Sequence, residues 1–123
     1  LRLAARLYGQ PVGKVDGLLG RVGLGHARNK LVRTFSSGMK KRLALARLLL
    51  SDADLWLLDE PYAALDEEGQ NLIDTLLVRA KADGKTVLMA SHDLERSARF
   101  ADRVLEVQGG TLSVARTDGA NRV

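Results

Sequence analysis

The sequence predicts an α/β fold built on a parallel sheet, because two short apolar runs flank a long helical stretch. The first run, Leu55–Asp59, continues into Glu60 and stops at Pro61. The second run covers residues 87–90 and stops at the triplet Ser-His-Asp. A short apolar run that ends at a turn signal is typical of a strand buried on both faces, as in a parallel sheet.

Composition limits the class of protein. The chain has 123 residues, enough for one domain with its own core. Apolar residues make up 46% and charged residues 28%, which is ordinary for a globular chain, and there is no cysteine for a disulfide or a thiolate metal site. The net charge of +4 comes from scattered basic residues with only 4% aromatics, so no nucleic-acid partner is expected.

The first fifty residues are predicted to be mainly helical. Residues 1–8 indicate a helix that Gly9 ends, and because no cap precedes this helix the chain is expected to begin inside a domain. Residues 23–33 are loop-like with one short helical turn, and another helix covers residues 43–50. Before the loop, a helix is predicted from four apolar residues at helical spacing: Val15, Leu18, Leu19 and Val22.

A small polar turn precedes the helix over residues 43–50. Ser36 and Ser37 are residue types favoured as helix N-caps, and Gly38 follows them. Backbone N–H groups at such a helix start can bind an anion, helped by the helix dipole and by the nearby cations of residues 40–42. The alternative is a capped helix with nothing bound.

Asp59 and Glu60 lie where the first strand ends, and open α/β sheets bind their ligands beyond the carboxyl ends of the strands. Burying two adjacent carboxylates is costly unless a metal ion or a proton compensates. The pair is therefore a candidate metal or catalytic site. The alternative is a strand that simply surfaces into an acidic turn.

The second half of the chain alternates helices and strands. Asp66 is predicted to cap a helix that Gly84 ends. The buried stripe of this helix is predicted to contain Leu72, Ile73, Leu76, Leu77 and Ala80. His92 follows the second strand. Three later features are a helix over residues 94–100, a hairpin between residues 104–107 and 112–114, and a frayed end from residue 117.

The triplet Gly84-Lys85-Thr86 matches the end of a phosphate-binding loop, but two features exclude that interpretation. The loop requires a glycine where Arg79 stands, and it must follow a strand and open a helix. Here the predicted order is helix, then strand.

Taken in order, these motifs resemble the later part of an ATP-binding cassette (ABC) ATPase domain. Four motifs carry the resemblance: residues 35–39 as the signature motif, Leu55–Asp59 with Glu60 as the Walker B strand and catalytic glutamate, Ala64-Leu65-Asp66 as the D-loop, and His92 as the switch histidine. The resemblance covers most of the chain. It implies an α/β fold with a P-loop NTPase-like parallel sheet core and part of an α-helical subdomain.

The resemblance also implies ATP and Mg²⁺ as ligands. Asp59 would hold Mg²⁺, usually through water, and Glu60 would orient or deprotonate the attacking water. His92 would hydrogen-bond the γ-phosphate. Four further residues would act at a dimer interface. Ser36, Ser37 and Gly38 would contact ATP held by a second subunit, and Asp66 would lie at the same interface.

The sequence departs from the family pattern in two ways. Phe35, Ser37 and Met39 differ from the commonest signature, LSGGQ, and the Walker A loop and Q-loop do not occur in these residues. The chain is therefore expected to be truncated at the N-terminus, to lack ATPase activity alone and to expose apolar surface. Its expected parts are residues 1–50 in the helical subdomain, 51–116 in the ATPase core, and 117–123 as a tail.

The function implied by the resemblance is that of the ATPase subunit of an ABC transporter, with features similar to exporter-type cassettes. The implied partners are a second ATPase subunit, as a homodimer, and transmembrane permease subunits. The implied location is cytoplasmic, peripheral on the inner face of the cell membrane. Two alternatives stay open: a non-transport cassette acting in DNA repair, chromosome maintenance or translation, and a non-enzymatic interaction fragment. The sequence upstream of residue 1 would separate the three.

Overall fold

The computed structural model describes residues 1–115 and divides the chain into two units, Leu1–Ser91 and the residues from His92 onward. The predicted frayed end from residue 117 lies outside the described residues. The first unit contains α1 (Arg2–Leu7), α2 (Lys14–Arg21), 3₁₀ turns at Gly25–Ala27 and Val32–Thr34, α3 (Ser37–Ser51), β1 (Leu55–Asp59), α4 (Glu67–Ala82) and β2 (Thr86–Ala90). The second contains α5 (Leu94–Ala98), β3 (Val104–Gln108) and β4 (Thr111–Ala115). Within residues 1–115, no helix has the length and apolar character needed to span a bilayer.

The helical part of the first unit is organised around α3, which packs against α1 and α2. The apolar spacing predicted for α2 is confirmed, because all four residues of that stripe are buried. From α3, Leu45, Ala46 and Leu50 complete the same core. Burial of these aliphatic side chains is the main favourable term that holds the three helices together.

The parallel sheet prediction is confirmed by the pairing of β1 with β2, in which Trp56 lies beside Val87 and Leu58 beside Met89. Helix α4 connects the two strands and packs against β2, as a parallel pair requires. Leu72 is only half-buried. The other members of the predicted α4 stripe are buried: Ile73, Leu76, Leu77 and Ala80.

Only one face of this strand pair is covered within the first unit. Leu55, Leu57 and Leu88 lie on the other face and are 53%, 69% and 60% exposed. Alternate side chains of a strand point to opposite faces, so Trp56 on the covered face is only 6% exposed. The prediction that both faces are buried is wrong for the residues described. The expectation that this chain exposes apolar surface is confirmed.

The amino-end edge of the strand pair is held by Lys85. Its ammonium lies 3.0 Å from the Asp52 carboxylate and 3.4 Å from that of Asp54. The hydrogen bond to Asp52 is the main reason that the pKa of Lys85 is raised, with Asp54 adding to it. Gly84, at a φ of 73°, adopts the left-handed conformation that follows many helix ends. The rejection of a phosphate-binding loop here is thus confirmed, because Lys85 follows a helix and pairs with acids.

The second unit confirms the predicted hairpin. Strands β3 and β4 are antiparallel, with Gln108 paired to Thr111 across a two-residue turn. Gly109 and Gly110 have φ angles of 56° and 77°, and a type I′ turn requires positive φ at both central positions. Helix α5 ends at Ala98, two residues before the predicted end.

Candidate active site

The two acids lie at the carboxyl-end edge of the strand pair, as predicted. Asp59 is the last residue of β1 and its side chain is exposed. Glu60 follows in a left-handed conformation with a φ of 46°, and its N–H donates to the Ala90 carbonyl over 2.8 Å. That hydrogen bond ties the residue after β1 to the end of β2. Pro61, which has no N–H to continue the ladder, is buried behind the acids.

The backbone after Glu60 is held from two helices. From α3, the Lys41 ammonium donates to the carbonyl of Glu60 and, over 2.9 Å, to that of Ala63. From α4, the Asp74 carboxylate accepts the Tyr62 hydroxyl over 2.9 Å, and Tyr62 is only 4% exposed. The turn that carries the candidate catalytic acid is therefore anchored on both sides.

The signature turn begins α3 with a capped helix end. The Ser36 hydroxyl oxygen accepts the Met39 N–H over 3.1 Å, which confirms the N-cap prediction. A hydroxyl that accepts through its oxygen still has its own O–H to donate, so capping leaves Ser36 able to bind a phosphate oxygen. Ser36 and Ser37 are exposed. An anion could thus reach both hydroxyls and any N–H group of the first helical turn that the cap does not use.

Gly38 brings the signature turn against the D-loop segment of the same chain. A Cβ at Gly38 would stand 3.1 Å from the Ala64 carbonyl oxygen, tighter than most real Cβ contacts. Ala64 itself has a left-handed φ of 61°. The structure therefore places the signature turn directly beside the segment that links the two acids to α4, which the sequence did not predict.

Asp66 starts α4 as predicted, and its carboxylate accepts the Gly69 N–H over 2.9 Å. The same oxygen lies 3.2 Å from the Arg42 guanidinium. The Gly69 hydrogen bond, followed by that from Arg42, lowers the pKa of Asp66. Arg42 also donates to the Val22 carbonyl over 3.1 Å, so one side chain joins the end of α2 to the start of α4. A role for Asp66 at a dimer interface stays a prediction.

Residues 40–42 are predicted from the sequence only as cations near the helix start, and the contacts of Lys41 and Arg42 were not predicted. Helical spacing could have shown that these two side chains lie toward the buried side of α3, although not which groups they contact. Lys41 lies four residues before the buried Leu45, and Arg42 lies four before the buried Ala46. Lys40 lies four residues before the exposed Ala44 instead. Lys41 and Arg42 therefore lie toward the buried side of α3, and Lys40 does not.

His92 is the first residue of the second unit, and its side chain is exposed. It directly precedes Asp93, whose carboxylate caps α5 by accepting the Arg96 N–H over 3.0 Å. The assignment of His92 to the phosphate site stays a prediction. His26 lies apart from all four motifs along the chain, in the 3₁₀ turn Gly25–Ala27.

The residues present fit a magnesium ion carried by a nucleotide. Mg²⁺ usually binds proteins through one or two carboxylates and takes its other ligands from water and substrate phosphates. The exposed carboxylate of Asp59 at the strand end can serve as such a ligand. A cage of several protein ligands is not needed for this mode, and residues 1–115 contain no cluster of three or more His, Cys, Asp or Glu.

Comparisons with known proteins agree with this geometry. The family model described as ABC transporter matches residues 8–63, which include the signature turn and both strand-end acids. A Fluoroquinolones export ATP-binding protein of Mycobacterium tuberculosis is 37% identical over 112 residues, covering 91% of this chain and 37% of that protein. A Cytochrome c biogenesis ATP-binding export protein of Xanthomonas campestris pv. campestris is 39% identical over 109 residues, covering 88% and 51%.

A solved structure described as a metal-chelate type ABC transporter in an inward-facing conformation has a similar fold. It superposes with a TM-score of 0.71 at 25% identity, covering 85% of this chain and 42% of that chain. The chain thus spans about half the length, or less, of the proteins it matches. The order of the motifs and the parallel strand pair agree with these matches. The chain belongs to the ATP-binding cassette (ABC) transporter family and carries a part of its P-loop NTPase-type ATPase domain.

Proposed function

We propose that this chain is part of an ATP-hydrolysing subunit that powers an ABC transporter. One observation carries the proposal: a strand ends in adjacent acids, and the turn after them lies against a capped, cation-rich helix start. Gly38 beside the Ala64 carbonyl and Lys41 on the Glu60 carbonyl establish that proximity within one unit. Phosphoryl transfer needs mainly positioning and electrostatic stabilisation, and this edge of the sheet offers groups for both.

In the proposed mechanism, Asp59 holds Mg²⁺, usually through water. When bound, the ion neutralises charge that develops on the phosphate oxygens. Glu60 accepts a proton from the attacking water or orients it, since a carboxylate within hydrogen-bond reach is a suitable general base. His92 donates a hydrogen bond to the γ-phosphate.

The signature turn acts on a second nucleotide in this proposal. Ser36, Ser37 and Gly38 contact ATP bound to a second subunit, and Asp66 lies at the same interface. The partner ATPase subunit is a second copy of the protein that contains this chain. The other partners are transmembrane permease subunits, which places the protein on the cytoplasmic, inner face of the cell membrane.

We further propose an exporter, because several relatives are named for export. Among substrate classes, haem export in cytochrome c maturation is the first to test. The Xanthomonas relative named for cytochrome c biogenesis supports it, with 39% identity across 88% of this chain.

The deciding experiment is Glu60→Gln in the full-length protein that contains this chain. Removing a general base costs about a hundredfold or more in turnover, so hydrolysis is expected to fall by at least that factor. ATP binding should persist, and the ATP-bound dimer should accumulate because one negative charge is lost and hydrolysis no longer separates the subunits. Steady-state phosphate release measures turnover, and fluorescent nucleotide titration measures ATP affinity. Size exclusion with ATP measures dimer formation.

Glu67→Gln is the matched control, because Glu67 is an exposed acid in the first turn of α4. This control should turn over ATP normally. Normal hydrolysis by Glu60→Gln would contradict the catalytic assignment and reduce the strand-end acids to a structural role.

A further inference from the structure

The turn that carries Glu60 adopts a backbone conformation that needs support. Glu60 has a φ of 46° and Ala64 a φ of 61°, and neither residue is glycine. In the left-handed region the Cβ of an L-residue crowds its own backbone, so such residues persist only where their surroundings hold them. Both lie in the short segment between β1 and α4, which therefore contains two strained positions within five residues.

Lys41 makes the contacts that hold this segment from the signature helix. Its ammonium donates to the Glu60 carbonyl and to the Ala63 carbonyl, the latter over 2.9 Å. The Ala63 N–H donates to the same Glu60 carbonyl over 3.2 Å. Lys41 thus joins both ends of the turn that begins at Glu60. A charged donor makes a stronger hydrogen bond to a carbonyl than a neutral one does.

The helix that carries Lys41 is a firm support. Helix α3 has 15 residues, is capped by Ser36, and packs against both α1 and α2. Lys41 lies one helical turn before the buried Leu45, so its side chain is on the buried side of α3. Lys40, its neighbour, is exposed.

We propose that Lys41 is a positioning residue for ATP hydrolysis, which holds the main chain of Glu60 so that its carboxylate stays aligned with the attacking water. The proposal rests on the proposed function and deepens it, because it assigns the signature helix a role toward the acid of its own chain. Lys41 touches neither the nucleotide nor the water in this role. Misplacement of a reacting group by about 1 Å can cost up to a hundredfold in rate.

The test uses Lys41→Met, Lys40→Met and Lys41→Arg in the full-length protein. Methionine keeps the length and apolar stem of lysine but removes the donor. Lys40→Met removes the same charge from the same helix turn, so it controls for a general loss of positive charge near the signature turn. Arginine restores donors that can reach two carbonyls.

Lys41→Met is expected to lower kcat by about tenfold to a hundredfold while leaving the KM for ATP nearly unchanged. Lys40→Met reports the effect of losing one positive charge near the signature turn, and the loss of kcat in Lys41→Met is expected to be about tenfold larger than the loss in Lys40→Met. Lys41→Arg should recover most of the wild-type kcat. A KM change as large as the kcat change, or equal losses in Lys40→Met and Lys41→Met, would overturn the proposal. So would a Lys41→Met protein that no longer folds while Lys40→Met does, because Lys41 would then be a structural residue.

A double variant separates this proposal from the assignment of Glu60. If Lys41 acts through Glu60, then Lys41→Met should cause no further loss of residual turnover in the Glu60→Gln background, since residues that act as a unit are not additive. A further loss of similar size would refute the link. Normal turnover in Glu60→Gln alone would instead refute the proposed function, so the two failures are distinguishable.

Discussion

The two edges of the parallel strand pair each hold a lysine with several hydrogen bonds, but the partners differ. At the amino-end edge, Lys85 pairs with the carboxylates of Asp52 and Asp54 and also donates to the Asp52 main-chain carbonyl over 3.3 Å. At the carboxyl-end edge, both side-chain hydrogen bonds of Lys41 go to main-chain carbonyls of the turn after β1. The two amino-end acids thus share one lysine as their counter-charge, whereas Lys41 binds the backbone of Glu60.

This difference separates an edge where a lysine pairs mainly with acids from the edge where a lysine holds the backbone of the proposed catalytic turn. A surface carboxylate paired with a lysine contributes little to stability, and the ammonium beside it repels a second cation. A lysine that binds carbonyls fixes the geometry of the turn instead. Three predictions test this difference, and the variants with the strongest expected loss of turnover come first.

The largest effect is expected from replacing one acid at each edge by its amide. Asp59→Asn in the full-length protein should lower Mg²⁺-dependent turnover by about a hundredfold, equivalent to about 2.7 kcal/mol, because a ligand charge for the ion is lost. Asp52→Asn should keep turnover within about twofold, since an exposed ion pair contributes at most about 1 kcal/mol. Asn also tolerates the left-handed φ of 51° at residue 52.

Steady-state phosphate release at several Mg²⁺ concentrations measures both variants. Partial recovery of Asp59→Asn at high Mg²⁺ would agree with weakened ion binding. Equal losses in the two variants would break the comparison, because the amino-end edge would then matter for chemistry as well.

An intermediate effect is expected from an aspartate placed at a glycine near each edge. Gly38→Asp puts a Cβ 3.1 Å from the Ala64 carbonyl oxygen and a negative charge where phosphate would bind. Turnover and ATP-driven dimerisation should both fall by at least about tenfold, equivalent to 1.4 kcal/mol. Stability should fall only modestly, because the favourable interaction of an acid in the first helical turn with the helix dipole offsets part of the crowding by the added Cβ.

Gly84→Asp is the matched variant and should behave in the opposite way. The added Cβ meets no atom within 4 Å, but the φ of 73° is strained for any L-residue, so roughly 1 kcal/mol of stability should be lost with turnover unchanged. Thermal melting and turnover measured on both proteins decide the matter. A Gly38→Asp protein that melts early and loses activity only in proportion would reduce the signature turn to a helix cap.

The smallest effect concerns Asp66, an acid of the carboxyl-end edge with a structural contact. Its pKa is lowered by the Gly69 hydrogen bond and by Arg42. The folded state therefore favours the carboxylate, and the stability that this group contributes is present above the ordinary aspartate pKa and is lost as pH falls through the lowered value. Asp66→Asn still caps α4, so the two proteins should have similar stability near neutral pH.

On acidification to about pH 3, the wild-type protein should lose slightly more stability than Asp66→Asn, because only the wild type has this carboxylate to protonate. Urea unfolding at neutral and acid pH measures the difference. Identical pH dependence in the two proteins would mean that the contacts of Asp66 with Gly69 and Arg42 do not contribute to stability. The residue would then resemble the other exposed acids of this edge.

Features that depend on neighbouring residues could be predicted from the sequence. The caps at Ser36 and Asp66 each bond an N–H three residues further along the chain, so residue type and position were enough to predict them. The hairpin followed from paired glycines between two apolar runs. The position of Asp59 and Glu60 followed from a strand that must stop at proline.

Contacts between residues far apart in the chain became visible only in the folded structure. Lys41 reaches a carbonyl 19 residues away, and Arg42 reaches a carboxylate 24 residues away. Such contacts depend on how α3 packs against the strand pair and α4, and no local spacing rule specifies that packing. The exposed strand face at Leu57 was not predicted for the same reason. An apolar strand predicts burial, but it does not specify which residues pack against each face. Local hydrogen bonds are set by sequence separation, whereas packing depends on the whole fold.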